Sequence, residues 1–312
     1  MQLRHKSLLA AATATLALVA AGQAGAAGPW VQVGDDVKSG ISGLALTEHS
    51  GGTVHALVVR DNKKPGDNRI AQLTYSEGES ASAVVTPVTW DGAEPIDLEA
   101  VEAVPGAPRE YVALASRGLV YHLRLTGGRV KVLDLSPLPG IREGDDFESF
   151  ALASDKGKLA AVWADRGDGA ERPATVFAAP FSYDQYGDAK FWALQSASFR
   201  APYPTGDVRH VSDISVADDG RMLVSSASDA GDDGPFDSGV SLAGRVRISG
   251  AGAVRLTVSD SPEVLGKFTG FKIEALEWVP GSSDAVLGTD DENKGGSVRT
   301  AALALTARTD AP

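Results

Sequence analysis

The feature that most restricts what this chain can fold into is a short phrase that returns five times. Ile41-Ser42-Gly43-Leu44, Asp97-Leu98-Glu99-Ala100, Asp146-Phe147-Glu148-Ser149, Asp213-Ile214-Ser215-Val216 and Lys272-Ile273-Glu274-Ala275 share one pattern, and their third residues are spaced by 56, 49, 67 and 59 positions. A repeat of this length marks one supersecondary unit that buries its apolar faces against copies of itself. Each phrase is followed by three short apolar runs with turn residues between them, the punctuation of strands. In the second unit, Leu98 to Val104, Tyr111 to Ala115, Leu119 to Leu125 and Val130 to Leu135 read as four strands, with turns at Pro105-Gly106 and Gly127-Gly128. The fourth unit repeats the plan after Asp213 with Met222 to Ser226, Arg245 to Ile248 and Val254 to Val258. Alternation at Val254, Leu256 and Val258 is that of a strand with two different faces.

The ends close the argument. The fifth unit offers Lys272 onward, Ala285 to Gly288 and Val298 to Leu305, and lacks a fourth strand. The N-terminal side has one to spare, Trp30-Val31-Gln32-Val33. Pairing the two leaves no open sheet edge at the seam. The expected fold is all-β, a five-bladed β-propeller of four-stranded blades closed by an N-terminal strand. A β-sandwich is the alternative, and it does not explain the repeat.

Before that strand lies a different kind of segment. Arg4, His5 and Lys6 precede an apolar stretch from Leu8 to Ala21, and Ala24-Gly25-Ala26 is a small-residue cleavage pattern. Residues 1–26 therefore read as a signal peptide, and 27–312 as a single propeller domain, secreted or periplasmic. The apolar stretch is shorter than the roughly 20 residues of a membrane span, and no later window reaches that length. The whole chain carries 29 basic and 41 acidic side chains, a net charge of −12; losing Arg4 and Lys6 with the leader makes it −14. That excess of acid argues against nucleic-acid binding, which needs a basic stripe. There is no cysteine, so no disulfide, thiolate metal site or cysteine nucleophile enters. A monomer held by its own core is expected.

In a propeller the first strand of each blade lines the central channel, and the second strand ends at the same face where the first begins. This brings Asp97, Glu99, Asp146, Glu148, Asp213, Lys272 and Glu274 together with Arg60, Asp61, Arg117, Asp165, Arg166, Asp229, Asp290 and Asp291. Converging carboxylates repel and raise one another's pKa. A hard cation relieves that conflict, so Ca²⁺ held by Glu99, Asp146, Glu148, Asp213, Glu274, Asp229 and Asp290 is one expectation. The other is that the acids begin strands, bond backbone N–H groups and space the blades. Two loops, 228–234 and 288–296, are rich in oxygen ligands and glycine but do not have EF-hand spacing. Arg117, Arg166, Arg209 and Lys272 are candidate receivers of an anion. Glu148 and His210 are candidate catalytic residues, with a structural role as the alternative for the histidine. The aromatic group Tyr183, Tyr186, Phe191 and Trp192 reads as an outer strand pair. No Gly-x-Ser-x-Gly elbow, His-Glu-x-x-His or P-loop occurs.

The phrases at 97–101, 146–150 and 271–276 resemble the Asp-x-Glu-(Gly/Ala)-(Leu/Ile/Val) openings of secreted phytase-like and SdiA-regulated-type propellers. The stretches 225–234 and 288–293 are similar to those of related bacterial propellers. The resemblance implies a calcium-filled acidic channel that hydrolyses phosphate esters. Gly43 and Ser215 depart from the acid of that pattern, and Lys272 stands where an Asp would, so any site is expected off-centre. The function expected is binding or hydrolysis of a small anionic, phosphate-type ester. The alternatives are a non-catalytic ligand- or partner-binding propeller and a lactonase-like calcium-dependent hydrolase.

Overall fold

Five sheets follow one another along the chain and close on themselves. The computed structural model describes residues 28–303, so the signal-peptide expectation for 1–26 lies outside the described residues. Blade one is β2 (Gly43–Ser50), β3 (Thr53–Val59), β4 (Ile70–Ser76) and β5 (Ser82–Pro87), paired in that order. Blade two is β7 (Leu98–Ala103), β8 (Glu110–Ala115), β9 (Leu119–Thr126) and β10 (Arg129–Pro137), with the short β6 (Thr89–Asp91) parallel to β10 at its outer edge. Blade three is β11 (Phe147–Asp155), β12 (Lys158–Asp165) and β13 (Ala174–Tyr183), and β14 (Ala189–Phe191) and β15 (Gln195–Phe199) share the outer position along β13. Blade four is β16 (Val208–Val216), β17 (Arg221–Ser228), β18 (Asp237–Ile248) and β19 (Val254–Thr269).

Blade five is completed from the other end of the chain, as expected. β20 (Ile273–Trp278), β21 (Asp284–Thr289) and β22 (Gly296–Ala302) are joined by β1 (Val31–Gly34), with Val31 opposite Val298. Trp30 anchors that strand: its ring stacks on Phe271 at 4.3 Å, and Arg299 lies over it at 5.2 Å. Stacked rings and a cation over an indole hold a terminal strand that ladder bonds alone would let fray.

The apolar core is a ring of five seams. Leu57, Val59 and Ile70 of blade one meet Leu98, Tyr111 and Leu123 of blade two. Val112 and Leu114 meet Phe150, Trp163 and Phe177 of blade three. Val162 and Val176 meet Ile214, Met222 and Val224 of blade four. Leu223 and Val240 meet Leu276 and Leu287 of blade five, and Ala275, Val286 and Val298 return to Leu44, Val58 and Leu73 of blade one. Each blade is thus apolar on both faces, which leaves polar side chains two outlets, the outer edge and the central channel. The aromatic group divides as its strands do: Phe191 packs on Trp163 and Phe181, while Tyr186 and Trp192 are exposed.

Candidate functional site

Backbone hydrogen bonds set the frame in which the channel residues are compared. At the start of the inner strands of blades two to five, a carbonyl accepts an N–H from just past the end of the second strand: Asp97 from Ser116 (3.0 Å), Asp146 from Arg166 (2.9 Å), Asp207 from Asp229 (2.8 Å) and Lys272 from Asp290 (3.0 Å). Asp97 and Asp207 also share a left-handed backbone, with φ of 66° and 44°. Two residues further on, the equivalent positions are Glu99, Glu148, Arg209 and Glu274. This corrects the reading of blade four. Its phrase is Asp207-Val208-Arg209, not the one beginning at Asp213, and an arginine occupies the glutamate position.

Asp213 lies past an irregularity in the β16 ladder between Arg209 and Asp213. It is buried, with Oδ1 accepting the Ile214 N–H (2.8 Å) and Oδ2 accepting the Leu276 N–H of blade five (2.7 Å). Oδ2 straps blade four to blade five while Oδ1 is held within its own strand, so the expected role as a metal ligand at the mouth does not hold.

The mouth itself is a lattice of ion pairs. Arg166 donates to Asp146 (2.9 Å) and to Glu148 (3.0 Å). Arg209 holds Asp229 (2.6 Å) and reaches Asp168 (3.5 Å). Lys272 bridges Glu274 (2.9 Å) and Glu292. Lys63 reaches Asp97 (2.8 Å), whose other oxygen accepts the Ser116 hydroxyl. Between the first three cations lies a pocket of only about 10 Å³, lined by Glu148, Arg166, Arg209, Ser212, Asp229, Lys272 and Glu274. Three cations from blades three, four and five alternate there with three carboxylates.

Burial and crowding tune these acids upward. Glu99 is pushed well above the usual carboxylate range, first by burial and then by Glu148, Asp97, Asp61 and Glu274. Burial raises Glu148 to about 8, although Arg166 pulls against it. Glu274 is raised by burial, opposed by Lys272, and Asp290 is raised by burial with Glu274 and Asp61 adding to it. Asp229 goes the other way: burial is overcome by the hydrogen bond and charge of Arg209. Burial alone would lower the Lys272 ammonium, but Glu274 and Glu292 overrule it and keep it charged.

These pairs decide how well a divalent cation fits. Among the described residues no three carboxylate or imidazole side chains are gathered as a metal would need. The place a metal would take between Glu274 and Glu292 holds the Lys272 ammonium, and Glu148 and Asp229 each face an arginine. Asp290 is buried, accepts the Glu292 N–H (3.1 Å), and presses on Gly40 so closely that a Cβ there would lie 2.3 Å from its carboxyl carbon. The oxygen-rich loops bind one another at the rim, Asn293 to Asp233 (3.2 Å) and the Lys294 ammonium to the Asp233 carbonyl (2.8 Å). The donor set does not fit calcium: Asp146, Glu148, Asp229 and Glu274 face side-chain cations, Asp213 and Asp290 are taken by backbone N–H groups, and Glu99 is not gathered with two further ligands among the described residues.

His210 also departs from its expected catalytic role. Its Nδ1 accepts the Ala201 N–H (3.1 Å), which places the proton on Nε2, and Nε2 donates to the Gly169 carbonyl (2.8 Å). Burial lowers its pKa, so it stands as a neutral structural histidine. Arg117 is exposed on the rim, 3.4 Å from the Asp145 carbonyl, and does not join the three cations of the pocket. Sequence reasoning missed Lys63, Asp207 and Glu292. Asp207 alone carried a signal, as the Asp of an Asp-x-Arg phrase.

No protein-family model and no curated relative matches the chain. Solved structures overlap it distantly. The catalytic domain of a GH62 α-L-arabinofuranosidase from Coprinopsis cinerea is 13% identical with a TM-score of 0.47, over 90% of this chain and 99% of that one. A GH43 β-1,3-galactosidase is 10% identical with a TM-score of 0.46, over 88% and 94%. The GH43 protein BlXynB from Bacillus licheniformis is 14% identical with a TM-score of 0.42 over 81% of this chain, which spans 51% of that protein. The five-blade assignment rests on the strand pairing above, and these overlaps carry no chemistry to this chain.

Proposed function

We propose that the channel mouth binds and hydrolyses a small anionic ester of the phosphate type, and that the chain does so outside the cytoplasm. The observation that carries this reading is the convergence of Arg166, Arg209 and Lys272 on one pocket with Glu148. Guanidinium forks suit a tetrahedral oxyanion, and a ligand oxygen can exchange for the carboxylate oxygens they now hold. Glu148, raised to about 8 by burial although Arg166 pulls against it, can carry a proton once a ligand oxygen takes its place on Arg166, and give that proton to the leaving oxygen. Asp229, kept ionised by Arg209, can take the proton of the attacking water. Calcium has no part in these steps. The phytase-like resemblance and the leader-like residues 1–26 agree with this reading. A non-catalytic binding role is favoured by one fact: the pocket is nearly filled by its own ion pairs, so a ligand must first open them.

The test is a phosphate titration followed by ³¹P NMR, beside hydrolysis of an aryl phosphate and a lactone, each with and without chelator. Phosphate should bind saturably, and Arg166→Met should weaken it at least about tenfold. Glu148→Gln should keep phosphate binding while losing roughly 100-fold in hydrolysis. No phosphate binding ends the proposal. Binding without hydrolysis leaves the non-catalytic role, and chelator-sensitive activity restores the metal.

A further inference from the structure

The opposite end of the channel is built differently. A cavity of about 550 Å³ opens there, lined by Leu46, Glu102, Leu152, Ser215, Glu277 and Trp278 among others. That volume lies within the roughly 300–1,000 Å³ of small-molecule sites. Glu102 comes from blade two and Glu277 from blade five, and Glu277 is the strongest charge acting on Glu102. Neither forms an ion pair among the described residues. The Ser215 hydroxyl donates to Glu277 (3.2 Å) and accepts the Trp278 N–H (3.0 Å). Arg221 lines the wall but is committed to Asp219 (2.7 Å) and lies over the Trp278 ring at 5.0 Å. The other charged groups facing the pair are Asp213 of blade four, and Asp218 and Asp219 at the rim.

Two carboxylates across one cavity repel when both are ionised, and a charge withdrawn from water without a counter-charge is costly, although backbone N–H groups of Ala103 and Leu152 ease Glu102 and the Ser215 hydroxyl eases Glu277. A ligand that relieves this must bring positive charge. The walls at Leu46, Leu152 and Trp278 add a second requirement, because an inorganic ion would leave that apolar surface uncovered. We propose that this cavity is a binding site for a small organic ammonium ion, its N–H groups donating to Glu102 and Glu277 and its apolar body lying on Leu46, Leu152 and Trp278. The site is independent of the anion-binding mouth and takes the opposite charge.

Calorimetric titration of the folded protein with benzylamine at pH 8.5 tests this, with benzyl alcohol and calcium chloride as competing probes. Saturable one-to-one binding of benzylamine is expected. It should weaken at least about tenfold at pH 6, below the value of about 8 to which burial raises Glu277, since a primary amine stays charged throughout. Glu102→Gln and Glu277→Gln should each weaken it about tenfold or more, two isosteric variants guarding against a failure of either to fold. Glu148→Gln, at the other end, should leave it unchanged. Absence of binding, binding that survives both glutamine variants, equal affinity for benzyl alcohol, or tighter binding of calcium at the same place would each overturn the proposal.

Discussion

The two ends of one channel solve the same electrostatic problem in opposite ways. Both are lined by glutamates from the innermost strands, Glu148 buried and Glu274, Glu102 and Glu277 half-buried. At the mouth, Glu148 and Glu274 are matched by Arg166 and Lys272, and the remaining space is about 10 Å³. At the far end, Glu102 and Glu277 face a cavity of about 550 Å³ and form no ion pair among the described residues. Fold geometry does not distinguish them, since the same strands serve both. The difference is that at the mouth blades three, four and five set cations against the carboxylates, whereas Arg221, which lines the far cavity, is held by Asp219. A charge matched within the chain favours rigidity, and an unmatched one leaves energy for a ligand to recover.

Removing the matching charge should produce the largest effect. Lys272→Met leaves Glu274 and Glu292 facing each other with Asp61 and Asp290 close by, and breaking a buried pair of this kind costs about 3–5 kcal/mol. Urea denaturation at pH 7 measures it, and a loss under about 1 kcal/mol would mean that Lys272 does not neutralise the mouth. The far end should respond with the opposite sign. Burial, eased by the Ser215 hydroxyl, raises Glu277 to about 8, so the folded state keeps a proton that the unfolded chain releases near 4.3. Its contribution to stability is full below that lower value and is lost as pH rises through about 8. Glu277→Gln should therefore be more stable than the native chain at pH 9 by roughly 2 kcal/mol, with little difference at pH 5. Equal slopes of stability against pH in the two proteins would show that the pair is already neutralised.

The ring of five blades was legible because it rests on repetition. Five phrases, their turns and a spare strand at Trp30 are all local, and a closed ring is the arrangement that satisfies them together. The site was legible only in part, and the reason is the bulge. In an unbroken strand Glu99 and Glu102, three apart, face opposite sides. The pairing of β7 with β8 shifts register between Leu98 and Ala100, and that of β20 with β21 between Ile273 and Ala275. One extra residue reverses the alternation, so Glu99 and Glu102, and likewise Glu274 and Glu277, all reach the channel. No residue pattern announces that extra step. The same effect misled the frame of blade four, where Asp207 directly precedes β16, β16 itself carries both Val208-Arg209 and Asp213-Ile214-Ser215, and the hydrogen bond from Asp229 to Asp207 tells which begins it.

The smallest expected effect bounds the mouth on its fifth side. Arg117 belongs to blade two, and sequence grouped it with Arg166 and Arg209, yet its side chain is exposed and touches only a carbonyl at the limit of hydrogen bonding, 3.4 Å. A charge in that setting is screened by solvent and salt. Arg117→Ala should change stability by less than about 0.5 kcal/mol, and phosphate affinity by no more than about twofold, with that remainder vanishing at high salt. Arg166→Met measured in the same titration supplies the contrast, because its guanidinium holds both Asp146 and Glu148. If Arg117→Ala costs as much affinity as Arg166→Met, the anion sits over blades two and three. Glu99, which has no arginine or lysine paired to it among the described residues, would then be the acid beside the ligand in place of Glu148.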